Sequence, residues 1–274
     1  MSEIEWTDET WNPVTGCTQI SPGCENCYAL RMSRRLQAMG QPNYRNGFEL
    51  TTHDHVLDKP LSWRSPRKVF VNSMSDLFHR DVPIEFVERV LDVCRRAHWH
   101  QFQILTKRSQ RLAKIASKLD WPTNVWMGVS VESQSYTFRV DHLREVPAEV
   151  RFVSFEPLIG PVNQVDLRGI HWAIVGGESG PGARPSHPDW FRRLRDICEK
   201  SDTAFFFKQY GDYAPAPAGT DEKRLVRIGK MGNIRDPEDS KQRKTDATVV
   251  RMGKGRAGRT LDGKTWDAYP IEVS

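Results

Sequence analysis

Apolar and polar residues alternate along the chain in blocks, and the period of the alternation changes from block to block. KVFVNSM (68–74), QFQILTK (101–107), NVWMGVSVE (124–132), RFVSFEP (151–157), HWAIVGGE (171–178) and TAFFFKQ (203–209) are short apolar runs that finish in polar residues. Continuous runs of this length, rich in Val, Ile and Phe, predict strands buried on both faces. Between them the spacing lengthens. PIEFVERVLDVCRRAHW (83–99), SQRLAKIASKL (109–119), QSYTFRVDHLREV (134–146) and HPDWFRRLRDICEKS (187–201) repeat apolar residues at helical intervals. Pro83 suits the first turn of the earliest of these. EWTDETWNPV (5–14) predicts one more short strand and ALRMSRRLQAM (29–39) one more helix. Strands alternating with helices imply an α/β fold, a parallel sheet covered by helices.

Beyond residue 213 that pattern stops. YAPAPAGT (213–220) has the composition of a linker. TLDGKTWDAYP (260–270) carries a turn signal at Asp262-Gly263 and two aromatics, and is expected to fold back onto the body. The domain organisation expected is residues 1–213 as the α/β body and 214–274 as a linker and basic extension. Charge separates the two parts. Residues 221–264 hold 13 Lys and Arg against 7 Asp and Glu, whereas the whole chain nets only +5. A basic stretch of this kind suits a phosphate backbone, or is simply a solvated tail.

The 274 residues suffice to bury a core. No apolar run reaches the roughly 18 residues of a membrane span. MSEIEWTDET at the start is acidic, with no basic and apolar segments of a secretory signal. A cytoplasmic, reducing setting is therefore expected, where structural disulfides are rare. Cys94 and Cys198 sit in amphipathic helical patterns and are expected to be buried fillers. The nine tryptophans form no stripe and read as packing residues, with Trp6 and Trp11 close enough in sequence to the other cysteines to shield a metal site.

The ends of the predicted strands carry the candidate chemistry. VSVES (129–133), VSFEP (153–157) and VGGES (175–179) repeat one design, placing Glu132, Glu156 and Glu178 at 24- and 22-residue intervals. Each interval is one strand–helix unit, so each carboxylate falls at the carboxyl end of a strand. Asn72, Ser73, Ser75 and Asp76, then Thr106, Lys107 and Arg108, then Lys208 and Gln209 fall at equivalent places. Ligands of parallel α/β folds bind at that edge. GGESGPGARP (176–185) fits either an anion-binding loop with Arg184 as charge partner or a plain glycine turn.

GCTQISPGCENCYA (16–29) places three thiols, Cys17, Cys24 and Cys27, in a turning loop with Cys-x6-Cys-x2-Cys spacing. Two metal readings follow. A structural zinc needs a fourth ligand, and His53 or His55 is nearest in sequence. A [4Fe–4S] cluster normally takes four thiolates, so three leave one iron open. In radical S-adenosylmethionine enzymes that open iron is chelated by the methionine end of the cofactor.

The cysteine loop, FVNSMSDLFH (70–79), QILTKR (103–108), MGVSVES (127–133), RFVSFEPLIGPV (151–162), WAIVGGESGPGARP (172–185) and FFFKQYG (205–211) together resemble a phage- and prophage-associated family. That family is named for a three-cysteine motif and its role is largely unassigned. It is similar in turn to the radical S-adenosylmethionine superfamily. The resemblance implies a partial (β/α)6 TIM-like barrel of parallel strands. It also implies a [4Fe–4S] cluster on Cys17, Cys24 and Cys27 and S-adenosyl-L-methionine on the open iron. Cofactor contacts would come from Ser73, Asp76, Ser130, Glu132, Glu156, Gly176, Gly177 and Glu178. Lys107, Glu156 and Lys208 are the candidate catalytic groups. A reducing electron-donor protein of flavodoxin or ferredoxin type would be the partner. The superfamily's commonest spacing is Cys-x3-Cys-x2-Cys with an aromatic before the last cysteine; here the first gap is six and Asn26 holds the aromatic's place.

Two functions are expected from this pattern. One is a radical enzyme that abstracts hydrogen from an unknown substrate, with nucleic acid or a nucleotide as the class the basic segment favours. The other is a nucleic-acid-binding protein stabilised by zinc or a cluster, contacting phosphates through residues 221–264.

Overall fold

The structure, a computed structural model, describes residues 5–235 and 245–270. The first residues of the acidic start and residues 236–244 of the basic segment lie outside the described residues. The chain divides into two compact units, one of residues up to Ser130 with Asp141–Phe152, the other of Val131–Val140 with the chain from Val153 on.

Within the first unit, β1 (Glu9–Trp11), β4 (Lys68–Val71), β5 (Gln101–Thr106) and β6 (Val125–Ser130) pair in parallel. A small antiparallel ladder joins β2 (Val14–Thr15) to β3 (Thr51–Thr52). The helices between are α1 (Tyr28–Ala38), α2 (Ile84–Arg96) and α3 (Ser109–Ala116). Pro83 caps α2 from one residue outside it. Phe86, Val87, Val90, Leu91 and Cys94 then turn one face of that helix inward. Every residue of β6 is buried, as a strand covered on both faces requires.

The second unit holds α4 (Phe138–Arg144, which straddles the division), β8 (Trp172–Gly176), α5 (Pro188–Lys200) and β9 (Ala204–Gln209). Strands β8 and β9 pair in parallel. The seven-stranded sheet of the fold, which includes β7 (Val150–Phe155), runs β1-β4-β5-β6-β7-β8-β9. The fold is α/β, a partial TIM-like barrel of parallel strands. Among the described residues, no helix is long and apolar enough to cross a membrane.

Where composition predicts a linker from residue 213, the structure has β10 (Tyr213–Pro215) in a four-stranded antiparallel sheet. Its order is β10-β13-β11-β12, with β11 at Leu225–Ile228, β12 at Ile234–Arg235 and β13 at Ala247–Arg251. Tyr-Ala-Pro is too short to announce a strand. Its partner β13 lies more than thirty residues downstream, beyond the reach of local pattern. A one-turn helix, α6 (Lys254–Ala257), leads to the hairpin of β14 (Thr260–Leu261) and β15 (Lys264–Thr265). Asp262 takes a φ of 54° in its turn and accepts hydrogen bonds from Arg192 and Arg195 of α5. Past the hairpin, Trp172 Nε1 donates to Ala268 O at 2.8 Å and stacks on Tyr269, while Asp267 bridges to Phe206.

Candidate functional site

The cysteine loop leaves β2 through Gly16. That residue takes a φ of 80°, and a Cβ there would stand 2.2 Å from Glu49 O, so the turn admits no side chain. The loop closes on itself through Cys24 N to Ser21 O (2.9 Å) and Cys27 N to Cys24 O (3.3 Å). Cys27 then becomes the N-cap of α1. All three thiols are free and partly exposed, while Cys94 and Cys198 are buried. Burial pushes the Cys198 thiol up to about 12. Trp11 is fully buried and edge-stacked on Phe102, and Trp6 packs on Phe70, so both serve the core.

A second layer holds the loop. Arg108, just past the end of β5, donates through Nη2 to Thr18 O (2.8 Å), Thr18 Oγ1 (2.9 Å) and Cys17 Sγ (3.7 Å). Asp76 is buried and fully used. Its Oδ1 accepts from Thr106 Oγ1 (2.7 Å) and Phe78 N (3.0 Å), and its Oδ2 from Lys107 N (3.1 Å). Asp76 thus ties the loop after β4 to the end of β5. The Cys17 thiol is pushed up to about 11, first by burial and then by the Asp76 charge, with Arg108 opposing both. Such a thiol keeps its proton at neutral pH until a metal displaces it.

Burial holds His79 below the usual imidazole value, so its ring is neutral. Nδ1 accepts from Asp81 N (3.3 Å), which leaves the ring hydrogen on Nε2, facing Thr18 Oγ1 at 2.8 Å. Thr18 Oγ1 therefore receives donors from both His79 and Arg108. A cleft of about 490 Å³ opens beside these groups, lined by Cys17, Thr18, Arg34, Phe48, Glu49 and His79 among others. Ser73 Oγ donates to Asn12 Oδ1 (3.2 Å), and Ser73 O accepts from the Tyr28 hydroxyl. The strand-end residues of the first unit are thus fastened to the cysteine loop and to one another.

The second unit carries its own strand-end groups. Glu156 and Lys208 form a partly buried ion pair at 3.0 Å. A Cβ on Gly176 would meet Glu156 Oε1 at 2.7 Å, so this glycine makes room for the carboxylate. Glu178 accepts from Arg184 N (2.8 Å), Nε (2.8 Å) and Nη2 (2.7 Å). Arg184 is therefore a clamp on its own glycine loop. Gly177 N donates to Gln209 O at 3.0 Å. Glu132 is fully buried and accepts from Arg139 Nη1 at 2.8 Å, and Arg139 lies 4.4 Å from the Tyr136 ring centre. Ser130 is buried.

Sequence pattern marks the strand ends but not what each group holds. Arg139, Thr18 and Asn12 all bear on the candidate residues and were not singled out by it. Thr18 adjoins Cys17, and Arg139 follows Glu132 by seven residues; neither spacing is a recognised signal.

The donor chemistry tests which metal suits the loop. Zinc draws all its ligands onto one ion. Among the described residues, no three His, Cys, Asp or Glu are placed to hold a single ion. His53 is bonded to Thr15 Oγ1 (2.8 Å) and His55 to Asn43 Oδ1 (2.9 Å). An iron–sulfur cluster instead seats each thiolate on its own iron, a wider arrangement. Three free thiols on one loop, with a cationic donor at one of them, fit that group.

Fold and site together define a parallel α/β protein of the partial-barrel class with a three-thiol loop. The chain belongs to the family described as protein of unknown function DUF5131, whose model matches residues 1–270. No curated protein sequence matches it. Among solved structures it is similar to a spore photoproduct lyase mutant with bound AdoMet and dinucleoside spore photoproduct, at 12% identity and a TM-score of 0.45, covering 88% of this chain and 68% of that one. It is also similar to spore photoproduct lyase complexed with dinucleoside spore photoproduct, at 10% identity and a TM-score of 0.42, covering 87% and 66%.

Proposed function

We propose that the protein is a radical S-adenosylmethionine-type iron–sulfur enzyme. The observation that carries this reading is the loop of three free, partly exposed thiols, met by Arg108 at Cys17. Cys17, Cys24 and Cys27 would hold a [4Fe–4S] cluster and leave one iron for S-adenosyl-L-methionine. When bound, these groups supply an electron and a hydrogen-abstracting centre. In the first unit Asp76 fixes the end of β5, and Thr18 and Arg108 fix Cys17. In the second unit Glu156 with Lys208 offers a paired carboxylate and ammonium for holding a polar substrate. The substrate class we favour is nucleic acid or a nucleotide, since Lys223, Arg224, Lys254, Arg256 and Lys264 of the basic segment are exposed. The five free cysteines suit a cytoplasmic setting. A flavodoxin- or ferredoxin-type protein would deliver the electron.

The test is iron and sulfide content after anaerobic purification from cells able to build clusters, with electron paramagnetic resonance with and without S-adenosylmethionine. Brown protein that yields 5′-deoxyadenosine on dithionite reduction supports the proposal. A colourless, iron-free preparation rejects it. The same basic residues favour a second reading, a metal-stabilised nucleic-acid-binding protein without radical chemistry. Zinc in place of iron, with salt-sensitive nucleic-acid binding, would select that one.

A further inference from the structure

Arg108 is an unusual donor. Its side chain is only 11% exposed, and its Nε stands 3.9 Å from Asp76 Oδ2, too far for a hydrogen bond. Its Nη2 spans two consecutive residues of the cysteine loop, Cys17 and Thr18. The residue is itself held from behind. Arg108 N donates to Thr106 Oγ1 (2.9 Å), and the same hydroxyl donates to Asp76 Oδ1 (2.7 Å). A continuous hydrogen-bonded chain therefore runs from Asp76 through Thr106 and Arg108 to Cys17. The opposite side of Thr18 Oγ1 meets neutral His79, which brings no charge. The charged neighbours of His79 are Arg108 and Asp76 together with the exposed Asp81 and Arg80.

We infer that Arg108 is a positioning residue that fixes Cys17 in the loop and raises the reduction potential of the cluster bound there. The potential half of this inference rests on the reading proposed above. Hydrogen bonds to the cluster's sulfurs and the net charge around it set the potential of an iron–sulfur centre. The guanidinium does not lose its proton in a protein, so its charge is constant. Adding one electron to the cluster makes its thiolates more negative. A partly buried N–H donor and cation at one of them stabilises that reduced state. Asp76 pulls the other way through its own charge, so the test alters Arg108 alone and leaves Asp76 in place. The guanidinium faces a thiol and a carbonyl through Nη2, with the Asp76 carboxylate 3.9 Å from its Nε.

The test compares full-length wild type, Arg108→Gln and Arg108→Lys, each loaded with cluster under anaerobic conditions. Iron and sulfide are counted first, and the potential is then read by a dithionite titration followed by electron paramagnetic resonance. Arg108→Gln is expected to lower the ratio of reduced to oxidised cluster at a fixed potential by about tenfold, equivalent to ~59 mV for one electron. Arg108→Lys keeps the charge but not the span across Cys17 and Thr18, and should lose less. A fully loaded Arg108→Gln with the wild-type potential overturns the inference. Amide hydrogen exchange of residues 17–20 in the metal-free proteins reads the positioning half. Arg108→Gln should speed that exchange while β4 and β5 keep theirs, and equal exchange overturns this half. Iron-free wild type would reject the enzyme reading and the potential half with it, while the exchange comparison still decides whether Arg108 holds the loop.

Discussion

Lys208 Nζ reaches both oxygens of Glu156, at 3.0 and 3.2 Å, and a Cβ on Gly176 would stand 2.7 Å from one of those oxygens. The pair is partly buried, so the Glu156 carboxylate draws on the Lys208 ammonium. Lys208→Met should cost roughly 1–3 kcal/mol, because a buried carboxylate loses its donor. Glu156→Gln in the Lys208→Met background should recover part of that loss. Gly176→Ala should destabilise by about 1–3 kcal/mol through the clash with Glu156. Thermal unfolding of the four proteins checks all three statements.

The cysteines should separate cleanly by role. Cys24→Ala and Cys27→Ala are expected to lose the iron and the brown absorbance. Cys94→Ala and Cys198→Ala should keep both, since those thiols lie inside helix faces with pKa values raised by burial. Iron content per chain is the readout, and a Cys24→Ala protein with full iron would remove that residue from the ligand set.

Arg139 and Glu132 form an ion pair with both side chains out of solvent. Removing Arg139 takes a charged donor from a buried carboxylate, so Arg139→Ala should cost about 3–5 kcal/mol. Replacing both by apolar residues of similar volume should cost far less. Denaturant unfolding of the single and double variants decides between them. A neutral single variant would show that the pair adds nothing to stability.

Acid should weaken the fold near neutrality. Burial, the largest cause at each, holds His53, His79, His100 and His187 below the ordinary value of 6.5. Below that pH the unfolded chain takes up protons that the folded chain refuses, so stability is full above pH 6.5 and falls beneath it. The melting temperature should drop between pH 7.5 and 5.5, by about 2–4 °C for each kcal/mol lost. His100 shows why: Nδ1 accepts from Arg67 N and Nε2 faces Pro60 O. His100→Gln should flatten the slope. The depressed carboxyls of Asp189 and Asp262 add a separate loss only at pH values below about 3.8.

Nucleic-acid binding calls for charge reversal rather than truncation. Cutting the chain at residue 220 would strip β10 of β13 and uncover Trp172. Lys223→Glu, Arg224→Glu, Lys254→Glu and Arg256→Glu change exposed side chains and leave the sheet. If these residues meet phosphates, affinity should fall and the dependence on salt should shallow by roughly 0.7–0.9 in log–log slope per lost contact. Unchanged affinity for single-stranded oligonucleotides would make the segment a solvated surface only.

Strands and helices of the parallel sheet were legible because each apolar run carries its own signal. Phe205, Phe206 and Phe207 need no distant partner to read as a buried strand. The antiparallel sheet was not legible, because Tyr213–Pro215 becomes a strand only through Val249, Val250 and Arg251. The site divides the same way. Position along the sequence finds Asp76, Glu132, Glu156 and Glu178 at strand ends. It does not find that Thr106, Arg139 and Arg184 answer Asp76, Glu132 and Glu178, since a hydrogen bond between side chains leaves no periodic trace.

The last strand of the parallel sheet, β9, has its outer edge closed by Trp266 and Asp267, through Phe207 N to Trp266 O at 2.8 Å and the Phe206–Asp267 bridge. An open edge is a template for pairing with another molecule. During synthesis, β9 emerges almost sixty residues before its cover. The nascent chain must carry a sticky phenylalanine strand through that interval, so ribosomal pausing or a chaperone acting between residues 209 and 266 would govern the yield of folded protein.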